Sequence, residues 1–589
     1  MTSLAQGQQV LIGFAEAVAA PECVFSLQKA GFSVVAFARR ETQPVIGRIK
    51  GVRVVQLVAP EHDVEQTIGE LTALARTLGP LPCLALDDAG LYVLAAVAER
   101  GALRVEEGEG VTRTSIALDK LAQFECARAS GFEVPETSTI RAYEDLVELD
   151  RFPCFLRPRL AVYRSGDHLL KGRTYQVHGR DELEAIHAQW QGACELLAQP
   201  LVVGCGEGIF AFAKGGQLQA YHGHRRLRMV NPLGSGSSAC VSVKPEAELL
   251  ECTREFAGKA DWAGPFMIEL LRDQAGKCWF VELNGRMWGS LALARRLGLE
   301  YPAWSVQATL DHGCGIPSQE DPPDGVVCRH LGRDLVHLAA VLFARRPRGP
   351  QVFPSRWTTG WRVLSFRRRE HYYNLWAGTF GVFAVDTVST VARKTSLYSL
   401  WQHWQRQWRR LGGFAARPLL RRKQGSPQVI QRFRQSVATA RSVLVLCYGN
   451  INRSPLAALL IGEQAGQEIC IESAGFHQKK GRPVDPVMVQ VAQRSGLEVG
   501  GCTSKVVGLD QVLKADVILV METWHLQRLW TLYPEARQKS FLLGTGQGRR
   551  GAPVEVEDPF GGPEAAYQDC LAELRRLATR IADLLGDQA

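Results

Sequence analysis

Residues 443–460 read Val-Leu-Val-Leu-Cys-Tyr-Gly-Asn-Ile-Asn-Arg-Ser-Pro-Leu-Ala-Ala-Leu-Leu. The run from Val443 to Leu446 is short, apolar and β-prone, and Pro455 opens an apolar helical pattern, so the stretch predicts strand, loop, helix. The loop starts at Cys447 and reaches Arg453 six residues later. In that setting the backbone N–H groups of Tyr448, Gly449, Asn450, Ile451 and Asn452, with those of the helix N-terminus, point inward at an oxyanion. The same positive field favours a thiolate at Cys447. Arg453 can grip two phosphate oxygens through its planar fork, and Ser454 can donate a hydrogen bond to the sulfur. The chemistry is nucleophilic displacement at phosphorus through a phosphocysteine intermediate.

Working outward, Ser473-Ala474-Gly475, Gly481-Arg-Pro-Val-Asp485, the apolar strand Asp516 to Met521 and Asp558-Pro559-Phe560 follow in order. With the loop, these elements resemble the low-molecular-weight protein tyrosine phosphatases along nearly all of 441–589. The resemblance implies a four-stranded parallel sheet. It also implies an acid at Asp558 that protonates the leaving phenolate and then activates water, and Phe560 as one wall of an aryl slot. The family often has a second cysteine where this chain has Asn452, a neighbour that can shield the nucleophile through a reversible disulfide. Its absence implies a phosphatase that peroxide inactivates without local rescue. Relatives acting on phosphoarginine have Thr at the place of Ile451, so Ile favours phosphotyrosine or another aryl phosphate.

The first half carries a different pattern. Val10 to Phe14 and Val34 to Phe37 read as parallel strands flanking a helix, and strands near Val54 and Leu84 continue the βαβ rhythm. No Gly-x-Gly-x-x-Gly accompanies them, so a dinucleotide site is unsupported. Further on, Phe266-Met-Ile-Glu-Leu270 and Trp279-Phe-Val-Glu-Leu-Asn-Gly-Arg286 read as a hairpin. Glu282 and Asn284 are two apart and share one face, which Glu269 can join. Two carboxylates and an amide are hard oxygen ligands suited to Mg²⁺ bridging nucleotide phosphates. On spacing alone, a salt-bridged structural hairpin is about as good a reading.

Residues from about 10 to 330 resemble the ATP-grasp superfamily, whose metal ligands are an acidic residue and a Glu-x-Asn-x-Arg run. The resemblance implies ATP and Mg²⁺ as cofactors, with Glu269, Glu282 and Asn284 at the metal. It implies Arg157, Lys171 and Arg286 at the phosphates, and Gln199, Val202 and Glu207 at the adenine and ribose. The chemistry implied is activation of a carboxylate as an acyl phosphate that an amine then captures. The expected glycine-rich loop is poorly developed, since only Gly166 and Gly172 occur beyond Arg157. His224-Arg225-Arg226 and the run 234–238 are candidate substrate contacts, with a solvated loop the commoner outcome for such a run.

Composition sets the frame. At 589 residues several domains are expected. No apolar run is long enough to span a membrane and no secretory signal is evident. Fifteen cysteines without a Cys-x-x-Cys pair suit reduced thiols in cytoplasm. Residues 341–440 hold 19 Lys/Arg against two acids, a net of +17, so the rest of the +9 chain sums to −8. There Trp401, Trp404 and Trp408 share one helical face beside Arg406, Arg409 and Arg410. Over 398–423 such a helix suits peripheral contact with an anionic membrane. The favoured alternative packs the tryptophans on a neighbouring domain, and no motif supports nucleic acid as a partner.

The expected fold is multidomain α/β: a Rossmann-like domain over 1–118, an ATP-grasp α+β domain over 119–335, a basic Trp/Arg-rich connector over 336–440 and an α/β phosphatase over 441–589. The expected function is bifunctional, with a phosphotyrosine or aryl-phosphate hydrolase joined to a ligase of unspecified carboxylate and amine substrates. Two alternatives stand beside it. In one the ATP-binding half is a non-catalytic regulator; in the other the phosphatase acts on the ligase's own small-molecule substrate or product.

Overall fold

The computed structural model describes residues 7–586 apart from 41, 80, 102, 104–110, 232–235, 311–321, 344–353, 366–369, 395–419, 421, 466–468, 478, 479, 500 and 548–553. The chain divides into two compact units, Met1–Tyr398 and Ser399–Ala589. It is a mixed α/β protein of several sheets.

The first unit opens with strands β1 (Gln9–Gly13), β2 (Ser33–Arg39), β3 (Val52–Leu57) and β4 (Cys83–Ala85), all parallel, in the order β3-β2-β1-β4. Helices Ala20–Lys29, Val64–Leu78 and Asp88–Glu99 alternate with them. Burial on both faces explains why β1 and β2 read as continuous apolar runs instead of alternating ones. The order reverses between β1 and β4, so the loops after these strands splay apart and leave a crevice at their carboxyl ends.

Next come β5 (Ser138–Ile140), β6 (Cys154–Pro158), β7 (Tyr163–Ser165), β8 (His168–Leu170), β9 (Tyr175–Val177) and β10 (Leu196–Pro200). Four of these form an antiparallel sheet, β5-β10-β6-β9, and β7 and β8 form a separate hairpin. A larger sheet then assembles from β11 (Gly204–Lys214), β12 (Gln217–Met229), β13 (Ser237–Val243), β14 (Gly264–Asp273), β15 (Cys278–Asn284), β16 (Val327–Arg329) and β17 (Glu370–Tyr372). Its order is β15-β14-β11-β12-β13-β16-β17, antiparallel except for the last pair. One face packs Phe210, Phe212 and Met267 beneath Trp288 and Tyr301; the other packs Ile209, Ile268 and Leu270 against Phe256 and Trp262.

The second unit holds a four-stranded parallel sheet from β18 (Ser442–Cys447), β19 (Cys470–Gly475), β20 (Val517–Val520) and β21 (Ser540–Leu542), ordered β19-β18-β20-β21. Helix Glu564–Gly586 packs on helix Arg453–Gln464, burying Leu571, Leu574, Leu577 and Ile581 at helical spacing.

The stretch 336–440 is shared between the units. Strand β17 closes the large sheet, and helices Arg356–Leu364 and Phe380–Lys394 belong with it to the first unit. Helix Pro427–Ala438 belongs to the second, where Val429, Phe433 and Val437 enter the core and Phe433 meets Phe541 edge-on at 5.4 Å. The three tryptophans expected on one helical face, and most of 398–423, lie outside the described residues. No helix among the described residues is long and apolar enough to cross a membrane.

Candidate active site

Strand β18 delivers Cys447 to the carboxyl edge of its sheet, and the chain turns at once into helix Arg453–Gln464. The Cys447 sulfur is buried and accepts two hydrogen bonds, from the Asn450 backbone N–H at 3.2 Å and from Ser454 Oγ at 3.0 Å. Asn450 holds the turn with φ +51°, a left-handed conformation that asparagine tolerates better than most residues. Its amide is a three-way clamp. Nδ2 donates to Ser454 Oγ and to Ser473 Oγ, each at 3.0 Å, and Oδ1 accepts from the Lys505 N–H at 2.7 Å. A side chain at Gly475 would bring its Cβ to 2.8 Å from the Tyr448 carbonyl oxygen, so glycine lets β19 and the loop approach.

Arg453 is fully buried, and its guanidinium is the hub of the site. Nη2 donates to Asp558 Oδ2 at 2.6 Å, while Nη1 donates to Glu522 Oε1 at 2.6 Å and to the Val556 carbonyl at 2.9 Å. Burial alone would lower its pKa, but the charges at Cys447, Asp558 and Glu522 raise it above the ordinary arginine value. Asp558 of the Asp-Pro-Phe segment thus sits one hydrogen bond from the Arg453 guanidinium. Phe560 is exposed at 64%, and Tyr448 stands at the loop's rim with its ring 5.8 Å from Trp524 and 5.6 Å from His477. Asn452 is buried, and neither atom of its amide finds a partner among the described residues.

In the first unit, Glu269 and Glu282 are opposite each other on β14 and β15, and Asn284 Nδ2 donates to Glu269 Oε1 at 3.3 Å. Arg226, from β12, forms an ion pair with Glu269. Lys120 Nζ is 3.7 Å from Glu282 Oε2, and Arg157 Nη1 donates to the Val281 carbonyl at 2.8 Å. Burial pushes the Glu282 carboxyl up, but Lys120 and Arg157 outweigh it and leave it below its ordinary value. Arg286 Nε donates to Asp88 Oδ1 at 2.8 Å, and Lys171 Nζ is 3.6 Å from Asp88 Oδ2. Asp88 opens the helix after β4, at the crevice of the parallel sheet. Burial opposes its charge, yet Arg286 holds its carboxyl down to about 2.

Residues 442–589 match the family described as Low molecular weight phosphotyrosine protein phosphatase. The low molecular weight protein-tyrosine-phosphatase Wzb of Escherichia coli K12 is 31% identical over 145 residues, 25% of this chain and 95% of Wzb. A protein-arginine-phosphatase of Geobacillus stearothermophilus is 30% identical over 143 residues, 24% of this chain and 95% of its own. Through these residues the chain belongs to the low molecular weight phosphotyrosine protein phosphatase family. A solved L-amino acid ligase from Bacillus licheniformis is 18% identical, with 52% of this chain and 75% of that chain covered at a TM-score of 0.41.

Within the phosphatase unit, the structure brings Cys447, Arg453, Ser454 and Asp558 to one point. Glu522 and Arg482 were not foreseen. Arg482 Nη2 donates to the Gly449 carbonyl at 2.5 Å, tying the 481–485 segment to the loop. Neither has a sequence signal of its own, because each acts through a loop distant in the chain.

Among residues expected at a nucleotide, Arg157, Lys171, Arg286, Glu269, Glu282 and Asn284 are linked by shared partners in one cluster. Lys120 and Asp88 join them unforeseen, although Asp87-Asp88 at the carboxyl end of β4 is where such a sheet places ligand contacts. Glu207 does not join them. It lies across from Leu270 on β11, so it faces away from Glu269 and is held by Arg225 at 2.8 Å and Arg272 at 3.0 Å. Gln199 Nε2 donates to Thr137 Oγ1 at 2.9 Å, and Val202 is half-buried between β10 and β11. His224 is also a correction to the reading as a substrate contact. Its ring is buried and stacks on Phe210 at 4.7 Å.

Proposed function

We propose that the phosphatase unit hydrolyses phosphotyrosine in proteins, or another aryl phosphate, through a phosphocysteine intermediate. The observation that carries this is the convergence on Cys447 of two hydrogen-bond donors, with Arg453 joined to Asp558 at 2.6 Å. The Cys447 thiolate attacks phosphorus, forming an S–P bond as the P–O bond breaks, and Asp558 passes its proton to the departing phenolic oxygen. Asp558 then takes a proton from water as that water attacks phosphorus, breaking the S–P bond and releasing inorganic phosphate. Arg453 and the inward backbone N–H groups hold the equatorial oxygens throughout. Ile451 supports an aryl ester. The relative named a protein-arginine-phosphatase makes phosphoarginine the competing substrate, and a phosphotyrosine peptide should outrun a phosphoarginine peptide on this chain.

For the first unit we propose an ATP-dependent ligase that joins a carboxylate to an amine. Two carboxylates and an amide oxygen on one face of a hairpin, ringed by Lys120, Arg157, Arg226 and Arg286, support it. Among the described residues no three His, Cys, Asp or Glu side chains form a metal cage of their own. Glu269, Glu282 and Asn284 therefore fit Mg²⁺ completed by phosphate oxygens better than a structural metal. When bound, that ion would neutralise phosphate charge during carboxylate activation. Lys120, Arg157 and Arg286 would hold phosphate oxygens, with Asp88 orienting Arg286.

The full chain, assayed with 4-nitrophenyl phosphate and with MgATP over a panel of amino acids, tests both readings. Cys447→Ser should abolish aryl-phosphate hydrolysis and spare ADP release, while Glu282→Ala should do the converse. Equal hydrolysis by Cys447→Ser and parent sinks the first reading. Nucleotide binding without acceptor-dependent ADP release replaces the second with a regulatory domain.

A further inference from the structure

Helix Arg356–Leu364 in the first unit turns an aromatic face to solvent. It buries Thr359 and Val363, one turn apart, against the helix Leu331–Phe343. Two residues along a helix is a rotation of about 200°, so Trp357 and Trp361 point to the opposite side. They are exposed at 89% and 73%, and Leu364, three residues further on that flank, at 61%. The supporting helix ends in exposed Leu342 and Phe343, the latter at 84%. Solvent-facing tryptophans one turn apart, in a chain that buries Trp262 and Trp288 completely, mark a surface built to meet something apolar.

Charge selects the occupant. Residues 341–369 contain eight arginines and no Asp or Glu. Arg356 and Arg362 lie on the helix itself and are exposed. Two nearer candidates carry the same sign. Residues 395–419 of this chain contain four arginines and no acid, and a second copy would bring its own Arg356 and Arg362 to the contact. Like charges at close range oppose both. An anionic partner with a hydrocarbon interior satisfies every element of the patch. Arginines meet headgroups, tryptophans settle at the polar–apolar boundary, and Leu364 and Phe343 reach the acyl region.

We propose that the Trp357–Trp361–Leu364 face, with Arg356 and Arg362 on the same helix, docks the first unit in the plane of an anionic lipid bilayer. Binding of this kind is peripheral and reversible, since the helix is nine residues long and cannot span a bilayer. Its attraction depends on ionic strength, because the Debye length shrinks from about 10 Å at about 0.1 M salt to about 3 Å at about 1 M.

The test is vesicle flotation of the full-length chain and of the double variant Trp357→Ala/Trp361→Ala. Phosphatidylglycerol-containing and pure phosphatidylcholine vesicles are compared at low and high salt, with aryl-phosphate hydrolysis reporting that the chain remains folded. The parent should float with anionic vesicles only, and high salt should release it. The double variant should partition at least about tenfold more weakly with hydrolysis unchanged, consistent with the apolar contact supplying a large share of peripheral binding. Equal flotation of parent and variant, or no flotation of the parent with anionic vesicles, overturns the proposal. So does a parent that binds single-stranded nucleic acid but not vesicles, or one whose dimer the double variant dissociates.

Discussion

Asn450 offers the sharpest quantitative test of how the phosphate loop is held. Replacing it with alanine removes three hydrogen bonds, to Ser454 Oγ, Ser473 Oγ and the Lys505 N–H. At about 1 kcal/mol net apiece these sum to roughly 3 kcal/mol. Alanine must also hold φ +51°, adding about 1 kcal/mol of backbone strain. Asn450→Gly loses the same bonds without that strain, although its more flexible unfolded chain offsets part of the relief. Glycine should therefore be less damaging than alanine by roughly 0.5–1 kcal/mol. The consequence for catalysis follows from the relay. Once Asn450 no longer donates to Ser454, the Ser454 hydroxyl can turn from Cys447 toward the Ala474 carbonyl, 3.3 Å away. Loss of one hydrogen bond to a charged group costs about 1.5–3 kcal/mol, or roughly 10- to 150-fold in kcat/KM. The assay is 4-nitrophenyl phosphate turnover across a urea series, reading the midpoint from activity because two units need not unfold together. Alanine within about threefold of the parent in kcat/KM, with an unmoved midpoint, refutes the clamp. Glycine more damaging than alanine refutes the strain argument.

Three further outcomes are expected. Asn452→Cys replaces two buried, unpartnered amide atoms with a small apolar group and should stabilise the phosphatase unit by about 1–3 kcal/mol, read as a higher urea midpoint for activity. If the cysteine also pairs with Cys447 under peroxide, dithiothreitol should restore the variant and leave the parent inactive, which a time course of recovery measures. In the first unit, His224 is held neutral by burial first and by Arg226 second, with its pKa pushed down to about 3. The unfolded chain takes up that proton below about 6.5. The histidine's contribution to stability is thus full above that pH and declines as pH falls toward 3, at about 1.4 kcal/mol per unit. His224→Phe should flatten the acid limb of the first unit's unfolding midpoint, and an unchanged slope counts against the burial argument.

The loop from Cys447 to Ser454 was legible because its parts are consecutive. A strand, a turn and a helix start place the Asn450 N–H and the Ser454 hydroxyl on one sulfur with little help from the rest of the chain. The hairpin carrying Glu269, Glu282 and Asn284 was legible for a related reason: period two puts Glu282 and Asn284 on one face wherever the strand lies. Glu207 shows the limit of that reasoning. The same period places it on one face of β11, but only the pairing register with β14 decides that this face is the one turned from Glu269.

What the order of residues determined by itself, then, is what neighbouring backbone can assemble: a cysteine at a strand end beside a helix N-terminus, and Glu282 and Asn284 two apart on one strand. Tertiary structure decided what must cross long stretches of chain. It brought Asp558 to Arg453 over 105 residues and Arg286 to Asp88 over 198, and it turned Trp357 and Trp361 to solvent while Phe433 went into a core. Local sequence fixes dihedrals and face periodicity through short-range sterics. Which faces meet is set by burial and packing summed over the whole unit, and no single segment encodes that sum.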